Sequence, residues 1–389
     1  MASSSYHHGA RIEETTDAPL TITTVSTAVI GIVCTASDAD PQAYPLNTPV
    51  LLSSASAGLA KAGTKGTLAA SLQAIDDQVT CQVVVVRVQE GNDLDATNAN
   101  LIGGVDANGA FTGMKALLMS RVRPRILGVP GFDAQEVTAA LLVLAKKLKG
   151  FGYATCHNCN SVTDALAFRE LLNGRELMLI WPDFTAFDTA TARTAKAMTV
   201  AIALGTRARL DQEVGWHRVI SNVPVNNVNG ISAGVEFDYL TEGTDADILN
   251  QAGITTLINR DGFRFWGSRT CDKGTFVFEN YTRTAQTVAE TIGQGVFEYS
   301  DKDMHASLVR DVIESINAKL RTMTRDGQLL GGRCWYDKAR NDKDSLKAGG
   351  LRLAYNYTPV PPMEDLQLRQ TFTDEYVANL SAAIDTTTA

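Results

Sequence analysis

Apolar positions in this chain follow two periods, and the change from one to the other marks the elements. Thr27 to Cys34 (TAVIGIVC) is a short apolar run rich in β-branched residues and predicts a buried strand. PVLLSS (49–54) predicts a second strand, and Lys65 to Ile75 has helical spacing. CQVVVVRV (81–88) places four valines in a row. A run that does not alternate has both faces buried, as in the middle of a parallel or mixed sheet. Residues 89–113 are rich in Gly, Asn and Asp and predict a boundary or a long surface loop.

Strand and helix then alternate. RILGVPG (125–131), GYATC (152–156) and ELMLIW (176–181) predict strands. Asp133 and Glu136 stand at capping-box spacing before a helix with Val137, Leu141, Leu144 and Leu148 on one face, stopped by Gly150. Ser161 caps a helix that runs to about residue 173. Thr189 to Arg209 reads as one long Ala-rich helix, where Ala190, Ala197, Ala201 and Ala208 let a neighbour approach. Residues 249–267 predict a helix end and a hairpin turning at Asp261-Gly262. The expected layering is α/β, with helices covering a central sheet.

The last third is more amphipathic. Asn280 to Ile292 and Asp303 to Arg325 predict helices, the second with Met304, Leu308, Val312, Ile316, Leu320 and Met323 on its apolar side. LRLAYNYT (351–358) alternates cleanly, PVPP (359–362) breaks the chain, and DLQLRQTFTD (365–374) alternates again through Leu366, Leu368 and Phe372. Residues 1–20 are polar and lack a helical period, so they predict an arm.

At 389 residues the chain exceeds one ordinary core, so two or three domains are expected. A net charge of −8 disfavours broad nucleic-acid or acidic-membrane binding. No long apolar run predicts a membrane span, and the first residues do not read as a signal peptide. The six scattered cysteines do not make a secreted disulfide framework, so reduced thiols are expected.

Candidate chemistry is sparse. Cys156-His-Asn-Cys159 lies between a strand and a helix, as in thiol oxidoreductases, because a helix N-terminus lowers a thiol pKa. Two loop cysteines without a task explain it more simply, and zinc would require a second ligand pair. His7 and His8 fall in the arm, and His217 reads as a packing or surface histidine. No phosphate-binding glycine loop and no nucleophile elbow appears. Ser232 sits in a glycine-flanked loop with no base placed beside it. Asp245/Asp247 and Asp301/Asp303 suit helix starts. The cluster of Phe263, Arg264, Phe265, Trp266 and Arg269 reads as a buried hairpin with its guanidiniums paired to carboxylates. An architectural role is therefore favoured, with a thiol oxidoreductase using Cys156 and Cys159 as the alternative.

The two ends carry the strongest signal. A lone alternating strand after PVPP would be an unpaired edge unless another chain pairs with it, and such a heterologous contact propagates into rings or helical lattices. YHHGARIEE (6–14), STAVIGIVCTASDAD (26–40), LNQAGITTLI (249–258), DGFRFWGSRTC (261–271), FENYTRTAQTVAET (278–291) and YNYTPVPPMEDLQLRQTFTDEYVANL (355–380) resemble the tail sheath proteins of contractile-tailed phages and R-type pyocins, closest to the short temperate-enterophage type.

The resemblance implies a mixed α/β inner domain built from residues 21–90 and 268–364, an inserted outer α/β domain at 91–267, an N-terminal arm at 1–20 and a C-terminal arm at 365–389. It implies that Gly9, Arg11, Ile12 and Glu14 in one arm, and Leu366, Leu368, Arg369 and Phe372 in the other, form inter-subunit strands. It further implies six-fold discs stacked helically around a tail tube, with the tube, baseplate and tail terminator proteins as partners. Neither nucleic acid nor membrane is an expected partner, and no cofactor, metal or catalytic residue is implied. The expected place is the tail of a virion or tailocin, after assembly in the host cytoplasm. Either Asp303–Arg325 or residues 374–384 would face the tube.

Overall fold

The computed structural model describes residues 22–188, 192–374 and 376–377. The strands are β1 (Ile30–Thr35), β2 (Pro49–Leu52), β3 (Val83–Val88), β4 (Ile126–Gly128), β5 (Phe151–Thr155), β6 (Leu177–Ile180), β7 (Phe184–Asp188), β8 (Arg193–Lys196), β9 (Gly230–Ile231), β10 (Ile254–Asn259), β11 (Phe263–Trp266), β12 (Leu329–Tyr336) and β13 (Leu353–Pro359). The helices are α1 (Ala55–Leu59), α2 (Leu68–Asp76), α3 (Leu94–Ile102), α4 (Gln135–Leu148), α5 (Val162–Glu170), α6 (Thr199–Glu213), α7 (Asp245–Gln251), α8 (Glu279–Gly295), α9 (Ala306–Arg325) and α10 (Lys343–Lys347).

Eight strands form one sheet in the order β11-β10-β6-β5-β4-β1-β3-β2. The inner pairings are parallel, and β2 and β11 close the edges antiparallel. The valine run shows why this sheet is buried on both sides. Val83 and Val85 enter the core that also holds Leu72, Ile75 and Leu204, while Val84 and Val86 enter the one that holds Leu141, Leu144 and Leu148. Successive side chains of a strand point to opposite faces, so an unbroken apolar run satisfies both layers. Burying one such side chain contributes roughly 1.5–3 kcal/mol. The fold is mixed α/β, as the alternation of periods implies.

Several boundaries differ from expectation. The segment 89–113 is not all loop: Asp93 caps α3 by accepting the Ala96 amide at 2.7 Å. The expected helix from residue 189 is cut short, because β8 pairs with β7 and α6 starts only at Thr199. Within α6 the small residues act as expected. Ala201 and Ala208 are fully buried, and a Cβ on Gly205 would meet the Gln78 side chain at 2.9 Å. Asp133 is not a helix cap: α4 has Ala134 at its N-cap, and Asp133 turns inward to accept the Thr155 hydroxyl at 2.7 Å. Lys149, at φ 51°, ends that helix one residue before Gly150. The Asp261-Gly262 hairpin and the Ser161 cap occur as the sequence implies.

The boundary expected near residue 90 is not a break in the sheet. β1 pairs with β3 on one side and with β4 on the other, so residues 22–90 and 91–267 share one hydrogen-bonded layer. A separate unit follows. β12 pairs antiparallel with β13, and α8 and α9 pack there through Val288, Ile292, Val312, Ile316, Leu320 and Met323. β12 escaped the sequence reading because Gly331, Gly332 and Arg333 interrupt its alternation.

Candidate functional site

The ends of the described chain converge on this unit. Ile22 is buried with Val288 and Ile292, so closely that a Cβ on Gly295 would lie 2.5 Å from it. Thr24 accepts the Lys319 ammonium at 2.8 Å. At the other end, β13 leads into residues 360–374, which carry no strand. Their base is fixed. Asn280 Nδ2 donates to the Val360 carbonyl at 2.7 Å, and Arg269 holds Glu364 through two bonds of 2.9 and 2.7 Å.

Beyond Glu364 the pattern is open. Leu366, Leu368 and Phe372 are 55%, 83% and 95% exposed, and Arg369 is exposed beside them. The alternation that predicts a strand is therefore present without a partner strand among the described residues. The sheet next to it is equally incomplete, because β12 and β13 pair only with each other among the described residues. An isolated two-stranded sheet is marginal in water, and its free edges accept further strands. Gly9, Arg11, Ile12 and Glu14 lie outside the described residues.

The joint between this unit and the main sheet is a buried ionic network. Arg207 meets Asp211 at 2.8 Å, Arg283 pairs with the same carboxylate, and Arg125 pairs with Glu290. Glu279 accepts from the Tyr153 hydroxyl and from Arg207. Burial, then the neighbouring Glu279 charge, pushes the Tyr153 hydroxyl well above its usual pKa, so it stays a donor. Sequence spacing gave no hint of this network, whose members come from the residue before β4, from β5, and from α6 and α8.

The remaining candidates resolve into packing. Phe265 is buried edge-on against Phe184 at 5.2 Å. Arg264 donates to the carbonyls of Arg260, Asn222 and Asp261 instead of pairing with a carboxylate, whereas Arg269 pairs with Glu364 as expected. Ser232 and Asp183 tie two loops together, each amide bonded to the other residue. Asp247 completes a capping box with Thr244. His217 is partly buried, and burial lowers its pKa. Cys156 and Cys159 line a cleft of about 540 Å³ with Asp133, Trp181, Asp183 and Lys196. No group of three or more metal-ligating side chains occurs among the described residues. No described helix is long and apolar enough to cross a membrane.

Among the described residues the chain carries an exposed alternating segment after β13 and a two-stranded sheet with no third strand beside it. Three family models match the chain: a tail sheath protein Gp18 domain III N-terminal region over residues 27–88, the phage tail sheath protein central domain over 95–271, and the phage tail sheath C-terminal domain over 272–373. The tail sheath protein of Escherichia phage P2 is 51% identical, over 98% of this chain and 99% of its own length. The major tail sheath protein of Serratia phage KSP20 is 47% identical, over 96% of each chain. The fold is shared with the anti-feeding prophage helical sheath in its contracted state (TM-score 0.72, 18% identity, 93% of this chain and 98% of that one). It is shared also with the sheath complex of an extracellular contractile injection system, PVC, in its contracted state (TM-score 0.70, 16% identity, 96% and 99%).

The chain belongs to the contractile tail sheath family. It is a structural subunit of such a tail and not an enzyme, so the oxidoreductase reading of Cys156 and Cys159 is set aside.

Proposed function

We propose that this subunit assembles into six-fold discs stacked helically around a tail tube, joined by its terminal arms. One observation carries the reading: the exposed alternating segment Leu366–Phe372 follows β13 of a sheet that has only two strands among the described residues. Leu366, Leu368, Arg369 and Phe372 of one subunit, with Gly9, Arg11, Ile12 and Glu14 of another, add strands to the β12–β13 sheet of a third. Each added strand satisfies backbone groups on both partners and covers apolar side chains.

Residues 22–90 with 268–364 form the inner part and 91–267 the outer part. Either α9 or residues 374–384 face the tube, and baseplate and terminator proteins meet the two ends of the stack. The extended sheath is held by a kinetic barrier. Triggering at the baseplate releases one disc, and the shared strands pass the change to the next while each subunit moves as a rigid body. The tube is then driven through the cell envelope. The buried network between α6 and α8 suits such rigid movement, since Glu279, Arg283 and Glu290 on α8 would lose their partners if the joint opened. Assembly takes place in the host cytoplasm.

Negative-stain electron microscopy of the purified protein at high concentration tests this reading. Wide hollow tubes with six-fold end views are expected. A species that stays monomeric or dimeric at all concentrations overturns it.

A further inference from the structure

The cleft at the C-terminal ends of β4, β5 and β6 has no part in sheath assembly as described above, yet it is lined by two cysteines. Cys156 follows β5 and is 6% exposed, while Cys159 is partly exposed in the turn before α5. Both side chains line the same cleft. The turn between them is fixed at several points. Asn158 takes φ 52°, the Cys156 amide donates to the Ile180 carbonyl at 3.0 Å, and Trp181 Nε1 donates to the Cys159 carbonyl at 3.0 Å. Cys159 Sγ reaches the His157 carbonyl at 3.3 Å, and Ser161 opens α5 two residues further on.

The two thiols are unequal. The neighbouring Cys156 thiol lowers the pKa of Cys159, whereas Cys159, followed by burial, raises that of Cys156. Cys34, Cys81 and Cys271 are buried and pushed up to about 12, which leaves them unreactive.

We propose that Cys156 and Cys159 are a redox modification site, closing a reversible disulfide within the subunit when it meets a low-molecular-weight disulfide. The Cys159 thiolate attacks one sulfur of that disulfide, and the bond between its two sulfurs breaks. One small thiolate leaves and takes a proton from solvent. Cys156 then gives up its proton and attacks the Cys159 sulfur, forming the Cys156–Cys159 bond and releasing the second small thiol. Two protein thiols are oxidised and one small disulfide is reduced to two thiols. The reaction is stoichiometric and needs no substrate protein. It provides a covalent change for a particle that passes from a reducing cytoplasm to an oxidising exterior.

The test uses the full-length protein and oxidised glutathione as the probe. After incubation the protein is unfolded, its free thiols are alkylated and the cysteine peptides are mapped by mass spectrometry. The expected result is a loss of two hydrogens, with Cys156 and Cys159 linked and the other four cysteines alkylated. Cys156→Ser should instead retain a mixed disulfide on Cys159, and Cys271→Ser should leave the link unchanged. Alkylation of all six cysteines, a Cys156–Cys271 link, or a lasting mixed disulfide on wild-type Cys159 overturns the proposal. The wild-type map decides the matter even where a variant fails to fold.

Discussion

Arg207 on α6 and Glu279 at the start of α8 stand 3.3 Å apart, and neither side chain has any exposed surface. The pair spans the boundary between the central and C-terminal family regions, so it joins the main sheet to the unit of α8, α9, β12 and β13. Asp211 and Arg283 complete the charges around it.

Replacing Glu279 with Ala leaves Arg207 short of a partner and frees the Tyr153 hydroxyl. Removing one member of a buried pair costs about 3–5 kcal/mol. The expected outcome is a matching drop in unfolding free energy in urea titrations of the unassembled subunit. A loss below roughly 1 kcal/mol would show that water replaces the carboxylate, so that the joint is looser than described.

Asp133 predicts a pH dependence. Burial pushes its carboxyl up to about 7, so the folded state holds its proton where the unfolded chain, near 3.8, does not. The folded state binds more protons over that window, so this group's contribution is fully present below about 3.8 and is lost as pH rises through 7. Asp133→Asn should be near-neutral at pH 4 and stabilising by about 2–4 kcal/mol at pH 8. Thermal melts of both proteins at the two pH values measure the difference; equal shifts at both would contradict the assignment.

Arg269 and Glu364 fix the chain soon after β13, with each side chain 33% exposed. Solvent screens such a pair, so a double-mutant cycle with Arg269→Ala and Glu364→Ala should give a coupling of no more than about 1 kcal/mol. If residues beyond Glu364 form the proposed arm, the larger consequence falls on assembly, because either change frees that segment to leave in many directions. Sedimentation should show weaker tube formation in both variants at nearly unchanged melting temperature.

Phe372 is 95% exposed in the single subunit. Phe372→Asp therefore changes the subunit's own stability by less than about 0.5 kcal/mol. If this residue lies in an inter-subunit strand, the same variant, and truncation after Pro362, should abolish tubes in electron micrographs. Normal tubes from the truncated chain would falsify the arm assignment.

Gly103 closes α3 at φ 66°, ψ −174°, and a Cβ there would lie 2.0 Å from the Thr112 carbonyl oxygen. Gly103→Ala should cost at least about 1–3 kcal/mol, measured by denaturant titration. A neutral result would mean that the following loop can retreat from the helix.

Much of the sheet was legible because its residues satisfy local rules. Val83–Val86 could only be a strand buried on both faces, and Asp261-Gly262 could only turn a hairpin. The misreadings share one cause, a local signal overruled by a tertiary partner. Asp133 has cap spacing but turns to Thr155 in the next strand. The Ala-rich run after residue 189 could be helical throughout, yet β7 draws residues 193–196 into a strand. β12 has too irregular a pattern to declare itself, and it exists because β13 and α9 supply its partners.

By itself the sequence determined the α/β class, the family, and the alternating pattern through Leu366, Leu368 and Phe372. Those properties reside in the order of residues along the chain, where period and motif can be read directly. Only the tertiary structure decided that β1 joins both sides of the residue-90 boundary in one sheet, that Arg207 and Glu279 lock α6 to α8, and that Ile22 and Val360 are held by the same unit. Each is a contact between residues far apart in sequence. Burial energies and charge pairing across the folded core select such contacts, and no local pattern encodes them.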